Sequence, residues 1–204
     1  MTRYAGGDSD HYKDTEVLIN KLGIKDQEEL EEAETAIALL AAFELALNPP
    51  KEGKSGPDFQ FLLEIHRRLF EDIYPFAGKI RTVDISKGRT RFANCNFIES
   101  EGRRLTRQLA DENWLSDLSA EQFAKRMSFY MGELNALHPF REGNGRSLRE
   151  YVRYIAERAG HPITWEGVDR DEMINASIMA YNGDCERLEG ILVRQIRAAS
   201  QDDD

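Results

Sequence analysis

The chain has 204 residues, 41% of them hydrophobic and 31% charged, enough apolar material for one globular domain with a substantial core. A net charge of −10 and a pI near 5.0 argue against direct nucleic-acid or membrane binding, because phosphate-rich surfaces would be repelled, and favour protein partners. Cys95 and Cys185 have no metal-like spacing, and no leader or eighteen-residue apolar run occurs, so free thiols in the bacterial cytoplasm are expected; injection by a specialised secretion system would leave no readable mark.

Residues 1–14 are polar and read as a loose arm, pinned at most by Tyr4 and Tyr12. Asp26 is a good N-cap, and Leu30, Ala33, Ile37, Leu40, Ala41 and Leu45 recur at helical spacing. A helix is therefore expected from Asp26 to about Asn48, with those residues facing the core. A surface loop follows, and Pro57 is expected to open a second helix to about Ile73, in which His66 reads as a structural residue. From Ile80 the period becomes two: Val83 and Ile85 alternate with polar residues, Lys87-Gly88 turns, and Arg89 to Phe92 returns. A hairpin this small must lean on the helices or serve a partner.

Asn96 is expected to cap a helix from Phe97 to about Glu112, whose Arg103, Arg104 and Arg107 form a solvated face. Ser119 and Gln122 form a capping box for a helix that ends at His138. Further helices are expected to about Ala159, closed by Gly160, from Asp169 to about Tyr181, and from Glu186 to Ala199, before an acidic tail, Ser200 to Asp204, that reads as disordered. The fold class is all-α, with about seven to eight helices and one short β-hairpin.

The chemistry concentrates between two of these helices, in His138-Pro139-Phe140-Arg141-Glu142-Gly143-Asn144-Gly145-Arg146-Ser147-Leu148-Arg149. A neutral imidazole accepts a proton at pH 7, so His138 is a candidate general base, and it must be reachable rather than sealed in the interior. Gly143-Asn144-Gly145 brings backbone N–H groups close to a ligand where a helix begins, which makes an anion cradle. Arg146 and Arg149 fall on one helix face at its positive end, a placement that makes sense with an anion between them. Glu142 supplies a hard oxygen of the kind Mg²⁺ prefers beside phosphate. Neither the P-loop pattern nor H-E-x-x-H occurs, and Leu148 stands where G-x-G-x-x-G needs its last glycine.

These twelve residues resemble the signature H-x-F-x-[DE]-G-N-G-R-x-x-R of the Fic (filamentation induced by cAMP) family at every defined position. The resemblance implies a single Fic domain over 1–204, with its core at about 57–185, and transfer of AMP from ATP to a hydroxyl side chain of a target protein. It implies His138 as the base, Phe140 buried beneath the loop, and Glu142 holding Mg²⁺. Gly143, Asn144, Gly145, Arg146 and Arg149 would bind the ATP phosphates. The hairpin, through Val83, Asp84, Ile85, Lys87, Gly88, Arg91 and Phe92, would dock the target's backbone, and Tyr181 and Asn182 would border the adenosine.

Many members carry an inhibitory helix with [ST]-x-x-x-E-[GN], yet no Ser or Thr here has Glu four residues on. The restraining helix would then come from a small antitoxin. That resembles toxins that modify gyrase or topoisomerase IV subunits; the catalytic part of an effector injected into host cells fits nearly as well. Transfer of another phosphate-linked group and a non-catalytic peptide-binding module are the competing readings.

Overall fold

The computed structural model describes residues 10–199, and the expectations for Tyr4, most of the arm and the acidic tail fall outside them. The described residues form seven α-helices: α1 Gln27–Leu47, α2 Phe59–Phe70, α3 Ile98–Asp111, α4 Ala120–Leu137, α5 Asn144–Arg158, α6 Arg170–Tyr181 and α7 Glu186–Ala199. Between α2 and α3 lies an antiparallel hairpin of β1, Ser86–Lys87, and β2, Thr90–Arg91. Helix α4 is the central post, with α3, α5, α6 and α7 packed around it, while α1 lies on α2 and α2 on α5. Tyr130, Phe123, Tyr151, Phe70 and Phe140 fill the space between them. Among the described residues no helix is long and apolar enough to cross a membrane.

Local signals explain most boundaries. Asp26, Asp169 and the Ser119/Gln122 box cap their helices as expected, each satisfying N–H groups that the first turn leaves over. Gly160 takes φ +78° just past α5, accepting the left-handed turn that ends it. Other expectations are corrected. Helix α2 opens at Phe59 rather than Pro57, because the Asp58 carboxylate caps it by accepting from the amides of Gln60 and Phe61. Asn94, not Asn96, accepts the capping bond before α3 and starts a short 3-10 turn at Cys95–Phe97.

The largest correction concerns α1. Its buried residues are Leu30, Glu34, Ala38 and Leu45, while Leu40, expected inside, is 68% exposed. Leu30 and Leu45 face the core as expected, and a carboxylate, Glu34, is buried beside them. The hairpin is also shorter than the 83–92 alternation suggested, only two residues per strand. It is extended by one bond from the Phe92 amide to the Ile85 carbonyl, and Ile85, Phe92 and Val83 make a small apolar cluster of their own.

Candidate active site

Helix α4 delivers His138 at its C-terminus, where the residue adopts a left-handed conformation (φ 48°) and Pro139 stops the helix. Its Nδ1 lies 2.9 Å from the Asn135 carbonyl, an acceptor only, so Nδ1 carries the proton and Nε2 the lone pair. Burial holds the imidazole pKa down to about 3, which keeps the ring neutral at physiological pH with the Nε2 lone pair free of a proton, and also lowers its proton affinity. Against the expectation of an open base, the residue is only 6% exposed. Phe92, at the base of the hairpin, stacks on it at 3.7 Å. Stacking covers a ring face, whereas the Nε2 lone pair lies in the ring plane, so a hydroxyl must approach along the ring edge or displace Phe92.

The loop after His138 is braced from below. Asn144 accepts from the Phe140 amide and donates to the Phe140 carbonyl, both at 2.8 Å, so its side chain closes the turn rather than facing a ligand. Phe140 stacks on His66 at 3.7 Å. His66 itself accepts from the Gly78 amide at Nδ1, which leaves Nε2–H to donate to the Glu142 carbonyl at 3.0 Å. It is thus a brace between α2, the turn after it and the motif. Gly143 must be glycine twice over, because its φ is +78° and a Cβ there would stand 2.4 Å from the Phe70 ring.

Helix α5 begins at Asn144, and its first intrahelical bond runs from the Ser147 amide to the Gly143 carbonyl. The N–H groups of Asn144, Gly145 and Arg146 therefore stand at the positive end of α5 with no carbonyl a turn behind them. Arg149 lies beside this turn, since a Cβ at Gly145 would sit 3.7 Å from its Nη1. Among the described residues no carboxylate pairs with it. Burial and the neighbouring Arg146 both press the Arg149 pKa down, a strain that an anion between the two cations would relieve. Arg146 is different: it pairs with Glu34 of α1 and lies over the Phe70 ring at 4.8 Å. Glu142, also buried, accepts from the Gly143 amide through Oε1.

Around this core Arg81 carries no signal in the sequence. Its buried guanidinium donates to the carbonyls of His138 (2.8 Å), Val83 (2.6 Å), Leu137 (3.3 Å) and Ala93. Its own amide reaches the Pro139 carbonyl at 2.9 Å. One side chain thus closes the end of α4 and ties the hairpin to it. Arg141 was unexpected too; it is buried and bonds Asp10 at 3.3 Å, so the N-terminal segment folds against the motif. Asp84 accepts from Asn94 and the Cys95 amide and holds the base of the hairpin. Lys87, Gly88 and Arg91 lie on the hairpin itself. The Tyr181 hydroxyl donates to the Arg91 carbonyl at 2.7 Å, while Asn182 ends α6 and donates to Ile178. A cavity of about 340 Å³ between Phe59, Arg107 and Trp114 lies at the far end of α2.

The buried histidines make acid stability a test. His66 and His138 both have folded pKa values of about 3 against an ordinary 6.5. The unfolded chain binds more protons between those values, so the stability they contribute is complete above about pH 6.5 and is lost as pH falls toward 3. Urea unfolding at pH 7 and pH 5.5 is expected to show a loss of about 2–3 kcal/mol. A flat profile would mean that these rings are solvated.

A helical core with a hairpin beside a histidine and a glycine-started helix defines a class, and comparison with known proteins gives the same one. The Fic/DOC family model matches residues 57–156. The chain is 45% identical over 199 residues to the protein adenylyltransferase VbhT of Bartonella schoenbuchensis, covering 96% of this chain but 41% of that protein. It is 33% identical over 196 residues to the probable protein adenylyltransferase Fic of Escherichia coli strain K12, covering 96% of each. The crystal structure of BepC, a VirB-translocated effector of Bartonella tribocorum with bound AMPPNP, matches with a TM-score of 0.83 at 27% identity, covering 91% of this chain and 95% of that one. The chain belongs to the Fic/DOC family.

Proposed function

We propose that this protein is an adenylyltransferase that moves AMP from ATP to a Tyr, Ser or Thr hydroxyl of a target protein. The observation that carries the reading is the pairing of a tautomer-fixed imidazole, Nδ1–H held by Asn135, with the positive end of α5 and the cation of Arg149. The names of the relatives, protein adenylyltransferases, and the nucleotide analogue in the BepC structure support it.

His138 Nε2 takes the hydroxyl proton, the oxygen bonds to the α-phosphorus, and the bond from that phosphorus to the oxygen bridging the β-phosphate breaks. Pyrophosphate leaves with the electron pair. The amides of Asn144, Gly145 and Arg146 and the side chains of Arg146 and Arg149 neutralise the departing charge, in the way phosphoryl transfers are generally catalysed. Among the described residues no group of three or more potential ligands could hold a metal alone. A single buried carboxylate, Glu142, fits Mg²⁺ whose remaining ligands are phosphate oxygens and water. When bound, that ion would stabilise negative charge on the bridging oxygens.

The hairpin would take a target segment as an added strand, and Lys87, Arg89 and Arg91 favour an acidic one. Tyr181 and Asn182, beside the hairpin at the end of α6, border the adenosine in this reading. At a finer level we place the protein with toxins restrained by a separate small antitoxin and directed at gyrase or topoisomerase IV subunits, in the bacterial cytoplasm. The likeness to a VirB-translocated effector keeps a host protein as the second target class. ATP labelled at the α- or the γ-phosphate, incubated with a bacterial lysate and the enzyme, is expected to leave α-label alone on a protein. Label from the γ-position would make the reaction a phosphorylation instead.

A further inference from the structure

Glu34 lies outside the segment that matches the family, on the core-facing side of α1. Its side chain is 2% exposed. A carboxylate is buried at great cost unless both oxygens find donors, and here they do. Oε1 accepts from Arg146 Nη2 and Oε2 from the Tyr74 hydroxyl. Tyr74 follows the end of α2, and the Phe70 ring one turn before it supports the face of the Arg146 guanidinium. Three elements, α1, α2 and α5, therefore meet on one arginine.

We propose that Glu34 is a positioning residue for nucleotide binding: through its clamp on Arg146 it pre-sets the guanidinium for a polyphosphate. The proposal rests on the reading that Arg146 binds a phosphate. The geometry favours positioning over competition with the nucleotide. The pair uses one of the five N–H donors of Arg146, and the arginine side chain remains 25% exposed. Glu34 itself is also held by the Tyr74 hydroxyl, on the oxygen that does not meet Arg146. A long side chain held in its bound orientation loses less freedom when the ligand arrives.

The test is ATP affinity in the presence of Mg²⁺, measured by calorimetry on the full chain and on Glu34→Gln, Glu34→Ala, Arg146→Ala and the Glu34→Gln/Arg146→Ala pair. Glu34→Gln keeps the shape and removes the charge, so it remains informative if Glu34→Ala fails to fold. Glu34→Gln is expected to weaken binding roughly 10-fold, the scale of one charge-assisted hydrogen bond. The paired variant should bind no more weakly than Arg146→Ala, because the two residues act through one guanidinium. Unchanged or tighter binding by Glu34→Gln, or losses that multiply in the pair, would overturn the proposal. Weak binding by Arg146→Ala with normal binding by Glu34→Gln removes Glu34 alone. Normal binding by Arg146→Ala removes the phosphate role of Arg146 and the proposal with it.

Discussion

His138→Ala is expected to bind ATP within about twofold of the parent while AMP transfer falls by ~10²–10⁴-fold, the usual contribution of a positioned general base. The separation follows from where the groups sit. The phosphate donors belong to the first turn of α5 and to Arg149, whereas His138 ends α4 and contacts Asn135, Phe92 and Arg81. One of those contacts, the carbonyl accepting from Arg81, belongs to the main chain, as does the turn at φ 48°, and both persist in alanine. The lost ring leaves a gap under Phe92, so some destabilisation accompanies the change, and transfer must be normalised to folded protein. Calorimetry for binding and mass spectrometry of the target for transfer check the two halves. Transfer at the parental rate would remove His138 from the reaction; loss of ATP binding would mean that its ring belongs to the nucleotide site.

Arg81→Met should be the most damaging single change outside the motif. Methionine keeps most of the volume but none of the donors, so the carbonyls of Leu137, His138, Val83 and Ala93 lose their partner in a buried region. At roughly 1–3 kcal/mol for each unsatisfied buried group, partly offset by relaxation and entering water, a loss of about 3–5 kcal/mol is expected. For a chain of this size that is a fall in Tm of roughly 10 °C or more. The end of α4 and the hairpin share this side chain, so the folded fraction should also show a raised KM for the target protein. Arg104→Met is the matched control: Arg104 is exposed, bonds Glu101 at 2.8 Å and Gln108 at 3.4 Å along its own helix, and is worth about 0.5 kcal/mol or less. If the two variants melt alike, Arg81 is not the tie described here.

The parts that sequence makes legible are the ones with local causes. Ser119 and Gln122 cap α4 because a side-chain oxygen three residues from an amide reaches it whatever the rest of the chain does. The motif was readable for a similar reason, since its base, carboxylate, glycines and arginines act within twelve consecutive positions. Glu34 was not readable: its partner Arg146 is 112 residues away, and a glutamate on a helix with several others looks solvated. Arg81 escaped notice, and His66 was readable as structural but not its partners, because both bond main-chain groups of distant segments, which leave no charge or periodic pattern to detect. Asn144 was assigned to phosphate with its neighbours in the turn, and its side chain, four residues from Phe140, closes that turn instead of facing a ligand.

The most direct test of the whole account is a crystal structure of the protein soaked with Mg²⁺ and a non-hydrolysable ATP analogue. The account requires phosphate oxygens within ~2.7–3.2 Å of the Gly145 and Arg146 amides, in contact with Arg149, and the α-phosphorus facing His138 Nε2. A triphosphate seated elsewhere, for instance in the cavity beside Arg107 and Trp114, or bound at α5 with its α-phosphorus turned away from His138, would contradict it.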